Sequence, residues 1–278
     1  MWRAWLLVSL VLAAPGGRDL SALRARAALP VARHQFGFQQ RAQASDTWLV
    51  LVFSKTAGFR HDDSIQAGIL AISALGQAHQ FQVEAAEDAA VFTPSELARY
   101  GAVVFLNTTG DILNTSQQAA FEQYIQSGGG FVGIHSATDT EYDWPWYGQL
   151  VGAYFANHPV IQTATIEVGG TSHPSMDGLP ARWTRTDEWY NFVARPPDSV
   201  TILARLDEST YTGGTMGSDH PLVWCHAFAG GRAWYTAMGH TSESFSEPLF
   251  LSHLLGGILW AAGQVELPLH SFLPIMLD

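Results

Sequence analysis

"GGGFVGIHSATDTEYDWPWYG", residues 128–148, decides how the rest of the chain is read. Three glycines lead into a short run, Phe131 to Ile134, that is apolar on both faces and ends at His135. Such a run suits a strand of a parallel sheet covered on both sides. Pro145 suits the first position of a following helix, with Asp143 expected as its cap. Between strand and helix lie His135, Asp139 and Glu141, and the aromatics Tyr142, Trp144, Trp146 and Tyr147 crowd the same turn. The glycines precede a strand instead of opening a helix, so they mark a turn and not a phosphate cradle.

The same alternation extends in both directions. "TWLVLVF" (47–53), "FQVEAA" (81–86) and "GAVVFLN" (101–107) read as strands. "SIQAGILAISALGQAH" (64–79) reads as a helix closing near Gly76. Pro94 opens a short helix capped by Thr93, and "TSQQAAFEQYIQS" (115–127) forms another with Thr115 as its expected cap. Downstream, "PVIQTATIEV" (159–168) and "SVTILARL" (199–206) read as strands separated by an irregular segment, 169–199. "PLVWCHAF" and "RAWYTAM" make a hairpin turned by Gly230 and Gly231, and "EPLFLSHLLGGILWAAG" is the final helix. The pattern predicts one α/β domain over 47–263, with a mainly parallel sheet, a β-rich C-terminal elaboration and a tail from 264.

Composition narrows the function. Only 14% of the 278 residues are charged, yet the chain holds ten Trp and fifteen Phe. Aromatic surface on that scale belongs in a core or along a sugar-binding cleft. Residues 1–44 contain six Arg and one Asp, whereas 45–278 contain eight basic and 24 acidic residues. An acidic domain with no basic patch excludes nucleic acid as the expected partner. Cys225 is the single cysteine, which rules out an intrachain disulfide, and its apolar neighbours predict a buried position. At the N-terminus, Arg3, an apolar run from Ala4 to Ala14 and a Pro-Gly break read as a secretory signal too short to span a membrane. Residues 1–46 are therefore expected to be signal and leader of a secreted or periplasmic protein; a misplaced start is the competing reading.

In an open parallel sheet, ligands sit beyond the carboxyl ends of the strands. His61, His135 and His240 each follow a predicted strand, so they are candidates for general acid–base work or metal ligation. Asp139 suits the same centre, and His135, Asp139 and His240 are the candidate ligands of a divalent metal. The carboxylates Asp139, Glu141 and Asp143 lack the glycine and distal Glu of a calcium loop. Glu188 lies in "RTDEWYNF", where flanking aromatics favour a raised pKa and a general acid; a salt bridge to Arg185 is the structural alternative. "GHTSES" adds Thr241 and a possible His240–Glu243 pair. The chain lacks a P-loop, a GxGxxG turn, HExxH and the GxSxG elbow, so nucleotide and serine-esterase functions are not supported.

"LVFSKTAGFRHDD", the long stretch 128–159, "DEWYNF" and "GRAWYTAMGHTSES" together resemble the ThuA-like (trehalose-utilisation) family, in the expected order from about Trp48 to Gly263. The resemblance implies a flavodoxin-like three-layer sandwich similar to class I glutamine amidotransferases. It also implies a polar centre of His61, His135, Asp139, Glu188 and His240, walled by Tyr142, Trp144, Trp146 and Tyr190. Amidotransferase chemistry is not implied, because "IHSA" stands where such enzymes carry their cysteine. The implied substrate is a small carbohydrate related to trehalose, handled alongside a sugar dehydrogenase that makes 3-keto sugars. A hydrolase or lyase acting on a glycoside or 3-keto-glycoside is the expected activity; a sugar-binding module or an interaction protein is the alternative.

Overall fold

Six consecutive apolar residues, Trp48–Phe53, form strand β1, and from Val50 onward the strand is fully buried. In the computed structural model residues 47–265 are described; the expected signal and leader, and the tail beyond Val265, lie outside them. Helix α1 (Asp62–His79) leads to β2 (Phe81–Ala86), and α2 (Pro94–Leu97) to β3 (Tyr100–Leu106). Helix α3 (Thr115–Gln126), β4 (Gly130–Ile134) and α4 (Pro145–Val151) follow. The remainder is β-rich: β5 (Phe155–Asn157), β6 (Gln162–Val168), β7 (Arg182–Asp187), β8 (Asn191–Phe192), β9 (Thr201–Asp207), β10 (His220–Phe228) and β11 (Gly231–Thr236). Helix α5 (Pro248–Ala261) closes the domain.

Nine strands form one sheet in the order β2-β1-β3-β4-β11-β10-β9-β6-β7, and β5 pairs with β8 in a small separate ribbon. The first five strands are mutually parallel, and the next four alternate. Seven of the nine consequently point the same way; only β10 and β6 run against them. Phe105 and Phe131 face one layer, where they meet Phe121 of α3 and Tyr147 of α4. Trp234 faces the other, against Gly257 of α5. The result is the expected flavodoxin-like α/β arrangement with its β-rich extension. The sheet is strongly coiled. Trp183 of β7 and Trp234 of β11 both approach the ring of His253 on α5, at 6.2 and 4.9 Å, although four strand positions separate them.

Several local expectations are corrected. Gly76 does not close α1: Gln80 does, in the left-handed conformation, with its N–H on the Gly76 carbonyl. Glycine is needed at 76 for a close approach, since a Cβ there would lie 2.5 Å from the Phe81 carbonyl oxygen. The cap of α3 is Asn114, not Thr115; it forms a reciprocal capping box with Gln117. Helix α4 has no side-chain cap, and Asp143 is exposed. The hairpin turns on Ala229 and Gly230, both with positive φ, while Gly231 already belongs to β11. Within the segment expected to be irregular lies β7, which presents Trp183, Arg185 and Asp187 inward. Two of its three inward residues are charged, so apolar alternation does not reveal it. Cys225 is buried as expected, and burial pushes its thiol up to about 12.

Candidate functional site

Because β1, β4, β7 and β11 all point the same way, the segments after them emerge at one edge of the sheet. His135 follows β4 directly and takes φ +51°, a conformation unusual for a residue with a Cβ. Three contacts hold it there: Tyr235 Oη donates to its carbonyl at 2.7 Å, its Nδ1 meets the Ala237 carbonyl at 2.8 Å, and Tyr190 lies against its ring at 4.1 Å. A carbonyl only accepts, so Nδ1 carries the proton of the neutral ring and Nε2 presents a lone pair.

That lone pair points into a cluster. His135 Nε2 lies 3.2 Å from His240 Nδ1 and 3.4 Å from Glu188 Oε2, and His240 Nδ1 lies 3.1 Å from the same carboxylate oxygen. The His61 ring completes the group, 4.9 Å from that of His135 and 5.0 Å from that of His240. One donor atom from each of His61, His135, Glu188 and His240 falls within 4.8 Å of all the others. His61 Nδ1 is buried without a hydrogen-bond partner. Burial, then the neighbouring histidines, push His61 down to about 3, which keeps it neutral. For His240 burial acts downward but is outweighed by the Glu188 hydrogen bond and charge, so its pKa is raised. Glu188 shifts opposite to the sequence expectation. Burial raises its pKa, yet His135 and His240 together hold it well below the usual carboxylate range.

Two residues that sequence reasoning did not single out position this group. His158, in the loop after β5, meets Glu188 Oε1 at 3.0 Å through Nδ1. Asp187 is fully buried at the end of β7. Its Oδ1 accepts from the N–H groups of Glu188 (2.9 Å) and His240 (3.1 Å), and its Oδ2 accepts from Gly239 N–H (2.9 Å) and Arg185 (2.6 Å). Gly239 has φ +108°, and a Cβ there would stand 3.1 Å from Ile134, so the turn that delivers His240 calls for glycine. Arg185 therefore pairs with Asp187 and Glu247, not with Glu188. Glu243 is exposed and does not orient His240; Glu188 takes that place. Both missed residues lie in stretches already notable, "FANHP" and "RTDEWYNF".

The remaining predicted residues divide. Asp139 does not join the converging atoms; Tyr142 Oη donates to it at 2.7 Å, and burial raises its pKa. Tyr142 is 42% exposed and stacks on Tyr154. Tyr190 is buried and backs His135 between that ring and Phe155. Trp144 and Trp146 do not wall the site. They stack on each other, Trp144 donates to Glu122, and Trp146 packs on Phe228. Phe228 pairs with Gly231 where β11 begins, which is the opposite edge of the sheet. Thr241 caps the turn Ser242–Ser246 and, with His61 and His240, borders an open cavity of about 540 Å³. Phe59, Arg60, Asp62, Asp63, Ile161 and Glu243 are also on its wall.

Comparison with known proteins places the fold. No curated protein matches the chain. Among solved structures, a putative ThuA-like protein from Bacteroides uniformis is 24% identical, with a TM-score of 0.68 over 77% of this chain and 91% of that one. A second, from Parabacteroides merdae, is 21% identical, with a TM-score of 0.66 over 78% of this chain and 91% of its own. A beta-galactosidase from Bacillus circulans is similar over 78% of this chain and 31% of its own length, at 15% identity and a TM-score of 0.50. At these identities the likenesses establish the fold alone. The sequence profile of the ThuA family, described as trehalose utilisation, matches residues 49–261. The chain belongs to the ThuA family.

Proposed function

We propose that the chain processes a carbohydrate, cleaving or eliminating a glycoside or 3-keto-glycoside of the trehalose type. The family's description ties it to trehalose utilisation. The observation that carries the finer reading is the meeting of His61, His135, Glu188 and His240 beside a polar cavity. Carboxylates around the cavity, from Asp62, Asp63 and Glu243, suit hydroxyl donors, and Phe59 and Ile161 add apolar surface.

The cluster supports proton transfer at carbon. A ketone at C3 acidifies the C2–H bond. His240 borders the cavity and takes that proton while Glu188 balances the imidazolium charge. The electron pair becomes a C1–C2 double bond and the C1–O bond breaks. His240 then returns the proton to the leaving oxygen, and addition of water completes a hydrolysis. The ketone would come from a sugar dehydrogenase acting beforehand, and export would bring the chain to extracellular sugars. Assay of 3-keto-trehalose by mass spectrometry should detect turnover. His240→Ala should lower it by about 10²–10⁴. Equal rates for wild type and a His135→Ala/His240→Ala double variant would remove the assignment.

A further inference from the structure

We propose that His61, His135, His240 and Glu188 bind one divalent first-row transition metal of the zinc type. The inference stands apart from the sugar reading, because it rests on donor chemistry and spacing alone. Three imidazoles and one carboxylate oxygen converge within 4.8 Å, and three of the four residues are buried. Imidazole nitrogens with a carboxylate are a donor set that zinc and its neighbours favour.

The spacing suits an ion. His135 Nε2, His240 Nδ1 and Glu188 Oε2 form a nearly equilateral triangle with edges of 3.2, 3.1 and 3.4 Å. Bonds of about 2.0–2.1 Å in a tetrahedral zinc site hold ligand atoms about 3.3–3.4 Å apart. A ring nitrogen of His61 supplies the fourth donor.

The surroundings prepare the lone pairs. The Ala237 carbonyl holds the His135 proton on Nδ1 and leaves Nε2 bare. His158 engages Glu188 Oε1, which leaves Oε2 to the cluster. These are the outer contacts that metal ligands ordinarily carry. Hydrogen bonding alone does not use what is present: the single proton on His240 Nδ1 serves both Glu188 and His135, and His61 keeps Nδ1 buried and unpartnered. A cation would engage the lone pairs together. His61 and His240 border the cavity, which supplies a path for the ion and for a water or substrate oxygen. An ion held there would take His240 as a ligand and would supply a bound water of pKa about 7 as an alternative base to the His240 imidazole.

Untagged full-length protein, stripped by chelator and dialysed, would be titrated with Co²⁺ at neutral pH and read by its visible d–d absorption. One equivalent should saturate the band, and Zn²⁺ should abolish it. His158→Ala should weaken binding by about 10–100-fold. His240→Ala should weaken it further, as should Glu188→Gln, which keeps the side-chain shape. Near-UV circular dichroism would check that each variant is folded. No band from folded wild type, or a band unchanged in both ligand variants, would overturn the site. A protein that binds Co²⁺ but turns over no keto-sugar keeps the metal and loses the activity; turnover without binding does the reverse.

Discussion

His135 carries backbone strain into the site itself. A positive φ in a residue with a Cβ persists only where its surroundings over-determine it, and here Tyr235, Ala237 and Tyr190 do so. Asp187 is the matching device on the other side of the site. It joins β7 to the turn after β11 through two backbone N–H groups and carries Arg185 as counter-charge. Asp187→Asn keeps the shape but leaves the buried guanidinium with Glu247 as its one charged partner beside the Ser244 hydroxyl. Removing one partner of a buried pair costs about 3–5 kcal/mol, so the urea midpoint should fall accordingly. An unchanged midpoint would show that the charge contributes nothing.

At the level of elements, close approach decides against helix propensity. Alanine normally stabilises a helix interior over glycine by about 1 kcal/mol. At position 76 the added methyl would meet the Phe81 carbonyl at 2.5 Å. Gly76→Ala should instead destabilise by about 1–3 kcal/mol, read by thermal or chemical denaturation, and a stabilised variant would contradict the packing of α1 on β2. Asn114→Ala tests the capping box of α3 and should cost about 1 kcal/mol, whereas Thr115→Ala should be close to neutral. The regular elements were legible because periodicity and caps are local. β7 was not legible, because two of its inward positions are charged: Arg185 and Asp187 pair with each other and are completed by Glu247, just before α5, and by backbone N–H groups beyond β11.

The whole molecule carries an acid liability away from the site. His173 and His253 both bond Ser175, and burial pushes them down to about 4 and about 3. Both pKa values lie below the ordinary 6.5, so the unfolded chain takes up protons first as the pH falls. Their contribution is thus complete above about 6.5 and is lost on the way down to about 4 for His173 and about 3 for His253. His173 Nδ1 accepts from Ser175 N–H, a role Asn fills without titrating. His173→Asn should retain about 2 kcal/mol that wild type loses between pH 7 and 4.5. Parallel pH profiles of the two proteins would refute the assignment.

Apart from β5, β7 and β8, the order of strands and helices was present in the sequence, as were the three histidines, Glu188 and the ThuA resemblance, because apolar periodicity and motif residues are properties of short segments. The resemblance also put His61, His135, Glu188 and His240 in one centre, together with Asp139, but which carboxylate faces the histidines was not legible. The carboxylate that faces His135 and His240 comes from Glu188, about fifty residues away along the chain from either, and not from nearby Asp139 or Glu243. The reversal of the Glu188 shift and the role of Asp187 follow from the coiling of the sheet around α5, whereas Trp146 is drawn to the far edge by Phe121 and Phe228, and His158 is brought in by the separate β5–β8 ribbon. Coiling brings the end of β7 to the turn after β11, and pairing across such a distance depends on the packed whole.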